Sequence, residues 1–114
     1  MKWFKVFDIE VVEEGDFIKM ISVNGKKFCA INLDHVITIT QAYCPHAGAV
    51  LSGGKCKDGK IICPFHRYEY DLETGRGAKG QGDYIEIYPT EKRSDGVYLG
   101  LKEKFNLLKN LFKK

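Results

Sequence analysis

Residues 43–75 read YCPHAGAVLSGGKCKDGKIICPFHRYEYDLETG, and the fold is decided inside them. Two short words stand out, Cys44-Pro45-His46 and Cys63-Pro64-Phe65-His66. Together they are Cys-x-His, sixteen intervening residues, then Cys-x-x-His. Each word sets one thiolate and one imidazole close together in the chain. Drawn onto a single ion, the four side chains would make a Cys₂His₂ zinc site. Divided by residue type, they would hold a two-iron cluster, with Cys on one iron and His on the other. In that arrangement the words act as two fingers gripping a flat cluster from opposite sides.

The stretch resembles the cluster-binding subdomain of Rieske-type ferredoxins. Four ligands in order carry the resemblance, with Pro directly after each Cys and the exit Asp71-Leu72-x-Thr74-Gly75. It implies one [2Fe–2S] cluster, with Cys44 and Cys63 on one iron and His46 and His66 on the other. The strand-like segments on either side fit that family's base domain. In its high-potential members an extra Cys in each ligand loop forms a disulfide; Ala49 and Phe65 stand at those positions here. Those members also place Gly-Ser after the second His, and the Ser hydroxyl bonds a bridging sulfide. Here Arg67-Tyr68 replace them, which implies the soluble, low-potential type. A cation at Arg67, where many relatives carry Gly, must point away from the cluster or lie on the surface.

The ligand types set the redox range by charge. Two ferric ions, two sulfides and two thiolates cancel, so neutral imidazoles leave the oxidised cluster uncharged. An all-thiolate cluster carries two more negative charges and accepts an electron less readily. Rieske centres accordingly lie at roughly −150 to +300 mV, against about −400 mV for plant-type ferredoxins. Reduction raises the proton affinity of the ligating imidazoles, so the midpoint is expected to fall at alkaline pH.

Outside the two words the chain is unspecialised. Its 114 residues, 44% hydrophobic, suit one domain over residues 1–114. Eighteen basic residues against fifteen acidic give +3, too little for a nucleic-acid field. Residues 102–114 carry +4 and residues 1–101 sum to −1, a basic tail on a nearly neutral body. The N-terminus meets charge too soon for a signal peptide, and no apolar run approaches the ~20 residues of a membrane span. With two of four cysteines claimed by the cluster, a reducing cytoplasm is the expected setting. Of the other two, Cys29 reads as a small buried hydrophobe in a strand and Cys56 as an ordinary thiol in the linker.

Short strands separated by turns predict an all-β fold, an antiparallel sandwich or barrel. Phe17–Val23 and Lys26–Ile31 flank Asn24-Gly25, a two-residue type I′ hairpin signal. A turn at 32–35 precedes the β-branched run Val36–Thr40, which leads into the first word. Lys57-Asp58-Gly59-Lys60 makes another turn before Ile61-Ile62 and the second word. Tyr68–Asp71 alternates as a half-buried strand should. Gly75–Gly82, with four glycines, reads as a mobile or tightly turned loop. Runs at 85–88 and 96–100 close the sheet, and the cluster loops, about 42–71, form a small lobe at one end. The spacing of Leu101, Phe105, Leu108 and Phe112 predicts a short C-terminal amphipathic helix over about 101–114. That helix either packs on the sandwich or docks an acidic partner or anionic membrane surface.

His35, in a polar turn, is the only histidine outside the two words and reads as solvated. One spare histidine excludes the mononuclear iron site of the Rieske oxygenases, which needs two His and a carboxylate. No Ser/His/Asp grouping or phosphate-binding loop is present, so the chain reads as a carrier without a catalytic site. The leading expectation is a one-electron relay whose partners are a reductase and a terminal oxygenase or other redox enzyme. The alternatives are a small accessory subunit resembling that of assimilatory nitrite reductases, a structural zinc module, and a redox sensor acting through the basic tail.

Overall fold

The computed structural model describes residues 1–45, 48–64 and 67–102. Chain turns set the hairpins. Asn24 (φ 52°) and Gly25 (φ 80°) take the paired left-handed conformations of a type I′ turn, joining β2 (Phe17–Val23) to β3 (Lys26–Leu33). Asp34 and His35, also left-handed, turn β3 into β4 (Val36–Gln41). Asp58 and Gly59 do the same between β5 (Lys55–Lys57) and β6 (Lys60–Ile62).

Three antiparallel sheets result. The first has the order β1–β10–β9, with β1 (Lys2–Asp8), β9 (Thr90–Arg93) and β10 (Gly96–Leu101). The second is β2–β3–β4–β8, with β8 at Ile87–Tyr88. The third is the small sheet β5–β6–β7, with β7 at Glu69–Asp71.

β3 is the wall between two cores. Its alternate residues face opposite ways, as strand geometry requires. Phe28 and Ala30 enter a core with Phe7, Ile37, Ile39, Val97 and Leu99, between the first two sheets. Cys29 and Ile31 enter another with Leu51, Ile61, Tyr70 and Ile85, between the second sheet and the small one. The expected all-β architecture is therefore present, and its lobe is a third layer that rests on β3.

Several local expectations change. β1, β9 and a five-residue helix, α1 (Ile9–Glu13), complete the fold. Cys56 lies on β5 opposite Ile61 and not in a loop. His35 is exposed but tethered, its Nδ1 donating to the Val12 carbonyl at 3.1 Å. Fully buried Asn32 joins it, donating to the carbonyls of Val12 (3.0 Å) and Gly15 (2.8 Å) and fixing the end of α1. Leu101, expected to open the terminal helix, is the last residue of β10; residues 103–114, which hold the remainder of that expectation, lie outside the described residues.

Candidate metal centre

Both ligand words grow from the necks of hairpins. β4 leads to Ala42, whose carbonyl accepts from Leu51 N at 2.9 Å, and Tyr43 bridges Val50. Inside that neck, Cys44 N donates to Ala49 O and Gly48 N returns to Cys44 O, both at 2.8 Å. The second neck repeats the plan. Ile61 pairs with Tyr70 across β6 and β7, and Cys63 N donates to Tyr68 O at 2.7 Å. Each cysteine thus sits where its loop meets the sheet, with its backbone held by a cross-neck bond. His46 and His66, two and three residues further on, lie outside the described residues with Ala47 and Phe65.

The two thiols occupy the same core. Cys44 (2% exposed) and Cys63 (1%) belong to one buried cluster with Ala49, Leu51, Tyr70 and Leu72. All four cysteines are thiols rather than disulfides. A thiol pair held at adjacent loop roots, each followed by an imidazole residue, fits the donor set of a two-iron Cys₂His₂ cluster. The same donor types also suit zinc.

Two glycines hold the loops against their supports. After the short 3-10 turn Leu51–Gly53, a Cβ on Gly54 would meet the carbonyl oxygen of Ile62, so only glycine lets the linker pass β6 this closely. Gly75 combines φ +80° with the same kind of approach, to the carbonyl of Ile85. Arg67 follows the second word at φ 54°, a conformation that suits glycine. Its exposed side chain meets the expectation that a cation there faces outward.

Nothing local in the sequence announces what stands behind Cys44. The Tyr70 hydroxyl lies 3.3 Å from Cys44 Sγ and donates to Asp83 Oδ2 at 2.9 Å. Burial, then the bonds to Cys44 and Asp83, push the Tyr70 ionisation well above its ordinary value, so the hydroxyl keeps its proton. Asp83 directly follows the glycine-rich segment, which is tightly turned. Gln81 clamps that segment to β7, accepting from Glu69 N at 2.9 Å and donating to Glu69 O at 3.1 Å and Asp83 Oδ1 at 3.3 Å. Tyr70's parity on the strand leaving the second word was a usable signal; Asp83 offered none.

Residues 2–89 match the model of the Rieske [2Fe-2S] domain. The chain belongs to the Rieske [2Fe-2S] domain family. Among the relatives of this Rieske domain, the ferredoxin component of the naphthalene 1,2-dioxygenase system from Pseudomonas aeruginosa is 28% identical over 101 residues, covering 88% of this chain and 96% of the relative. Cholesterol 7-desaturase nvd 1 from Ciona intestinalis is 32% identical over 92 residues, 79% of this chain, but the chain spans only 18% of its length. The same fold is seen in the ferredoxin of carbazole 1,9a-dioxygenase from Nocardioides aromaticivorans IC177, with a TM-score of 0.78, 18% identity, and coverage of 90% of this chain and 100% of that one. A complex of reduced oxygenase and oxidised ferredoxin in carbazole 1,9a-dioxygenase contains a chain that superposes with a TM-score of 0.74 at 23% identity, covering 88% and 97%. The family's group is the Rieske-type [2Fe–2S] cluster, and the relatives of matching length are named ferredoxin components.

Proposed function

We propose that this chain is a one-electron carrier that relays electrons from a reductase to a terminal oxygenase or another redox enzyme. Cys44 and Cys63 would hold one iron of its cluster, and His46 and His66 the other. When bound, such a cluster takes up and returns a single electron. The observation that carries the reading is the placement of two buried thiols at adjacent loop roots, in a chain that a ferredoxin component matches nearly end to end.

The protein's own groups do the remaining work. The cross-neck bonds of Cys44 and Cys63 fix where the thiolates sit, and burial keeps water from them. Around the first loop root, exposed Tyr43 and Val50 form a cross-strand apolar pair, and exposed Arg67 follows the second word. These suit a surface that meets redox partners briefly. With no Ser hydroxyl at position 68 and no loop disulfide, the reading places the midpoint in the lower part of the Rieske range. A voltammetric midpoint well above zero would contradict that placement.

No helix among the described residues is long and apolar enough to cross a membrane. A cytoplasmic setting and peripheral docking through the basic tail, residues 102–114, belong to the same proposal. Deleting residues 103–114 tests the tail: a folded protein with weakened partner docking supports it, and loss of folding assigns the tail to packing.

The decisive experiment is low-temperature EPR of the dithionite-reduced protein, with iron and sulfide quantified on the same sample. A rhombic signal with equal iron and sulfide is the expected result. A colourless, zinc-loaded sample that stays silent after anaerobic reconstitution would overturn the electron-transfer reading.

A further inference from the structure

Tyr70 has one hydroxyl proton and two neighbours that want it. Its side chain is fully buried, with Cys44 Sγ at 3.3 Å and Asp83 Oδ2 at 2.9 Å. A tyrosine hydroxyl donates once and accepts through its lone pairs, whereas an ionised carboxylate only accepts. A ligating cysteine is a thiolate and has no proton to give. With Cys44 as a ligand, the three groups therefore share a single proton.

Asp83 is built to win it. Its carboxylate is held in place by Gln81, whose own amide is oriented by the backbone N–H and C=O of Glu69. The backbone of Asp83 is fixed as well, since its carbonyl accepts from Gly77 N at 3.0 Å. A hydrogen bond to an ionised acceptor is roughly twice as strong as a neutral one. A thiolate that shares its charge with iron is the weaker competitor.

We infer that Asp83 is a positioning residue that holds the Tyr70 hydroxyl proton away from Cys44 Sγ and thereby keeps the reduction potential of the bound cluster low. The inference rests on the reading of Cys44 as a cluster ligand. A donor to a ligand sulfur stabilises the added negative charge of reduction, and such bonds are among the levers that set the potential. The chain carries a suitable donor within reach of the sulfur and restrains it. The control lies thirteen residues away in sequence, on a segment that supplies no ligand.

Midpoint potentials of the loaded protein test this in a double-mutant cycle of Tyr70→Phe and Asp83→Asn. Tyr70→Phe alone is expected to leave the reduction equilibrium within about threefold of the unsubstituted chain, because the hydroxyl gives the sulfur no proton to lose. Asp83→Asn exchanges the ionised acceptor for a weaker neutral one, so the hydroxyl can turn to the sulfur. This substitution is expected to favour reduction by about tenfold, a rise of ~59 mV for one electron. In the Tyr70→Phe background the same change is expected to give less than about threefold, the residue of removing a charge. Equal shifts in both backgrounds would show that Asp83 acts by charge alone and would overturn the inference. So would a tenfold loss from Tyr70→Phe by itself, which would mean the hydroxyl already serves the sulfur. If Asp83→Asn fails to load, the Tyr70→Phe midpoint decides. A chain that never assembles the cluster overturns this inference together with the proposed function; a loaded cluster with the wrong pattern overturns this inference alone.

Discussion

Cys29 and Cys56 share a core with Cys44 and Cys63, but they sit on strands β3 and β5 and not at loop roots. Cys29 is 1% exposed, and burial pushes its thiol up to about 12, with the Thr40 hydroxyl pulling the other way and Cys56 adding slightly. Cys56, half-buried beside it, is raised too, by burial first and then by Asp16. A thiol reacts as its thiolate, so Cys29 is expected to resist iodoacetamide at pH 8 in the folded protein and to react once denatured. Mass spectrometry of the alkylated chain reads this directly. The same shift has a thermodynamic sign. The fold keeps the Cys29 proton while the unfolded chain releases it near pH 9, so stability from this group is present below pH 9 and lost as pH rises toward 12. Urea unfolding at pH 8 and pH 10.5 is expected to show that loss, and Cys29→Ala to lessen it. Sequence reading placed Cys29 correctly because a cysteine inside a β-branched and apolar run has few other places to go. It could not place the Tyr70 hydroxyl, because a strand's parity gives a direction and not a hydrogen-bond partner.

At the scale of elements, turn chemistry was the most legible part of the chain. Asn24-Gly25 and Asp58-Gly59 announce positive φ pairs, and both hairpins stand where those pairs put them. β1, β9 and α1 were invisible for physical reasons. β1 is mostly exposed or half-buried and shows no clean alternation. β9 is nearly all charge and exists as a strand only by pairing with β10. α1 has five residues, too few to show a period, and tertiary bonds from Asn32 and His35 fix its end. The exit from β7 gives two predictions. Asp71 accepts from the backbone N–H of Thr74 (3.0 Å) and Glu73 (2.8 Å), and these bonds hold its carboxyl below the usual carboxylate range. Its contribution is therefore present above the unfolded carboxylate pKa and lost as pH falls through and below it. Asp71→Asn is expected to flatten the acid limb of a stability–pH curve, and an unchanged limb would dismiss the bond. Gly75→Ala is expected to cost more than ~1–3 kcal/mol, since it adds a clash with the Ile85 carbonyl to a left-handed backbone. The urea midpoint should drop with its slope unchanged.

For the whole molecule, the shared strand β3 decides how the layers fail. Phe28 and Ala30 serve one core while Cys29 and Ile31 serve the other, so neither core can open without disturbing the wall. Phe28→Ala is expected to cost ~3–5 kcal/mol. It should also lower the temperature at which the lobe is lost, although Phe28 lies in the core away from the cysteines. In thermal melts of the loaded protein, visible absorbance and far-UV signal are expected to fall together. Separated transitions would show that the lobe unfolds on its own. A candidate donor set could be named from the sequence because metal chemistry constrains residue type and spacing within short words. The layer beneath it was not, since the contact between β3 and Leu51, Ile61 and Ile85 joins segments that share no local pattern.

β9 closes one side of the first sheet, with Glu91, Lys92 and Arg93 all exposed along it. A bare sheet margin invites a second chain to zip on, and a row of mixed charges discourages it. A protein proposed to pass electrons between partners gains from such a margin. Edge-to-edge pairing between copies is thereby discouraged on this side of the molecule.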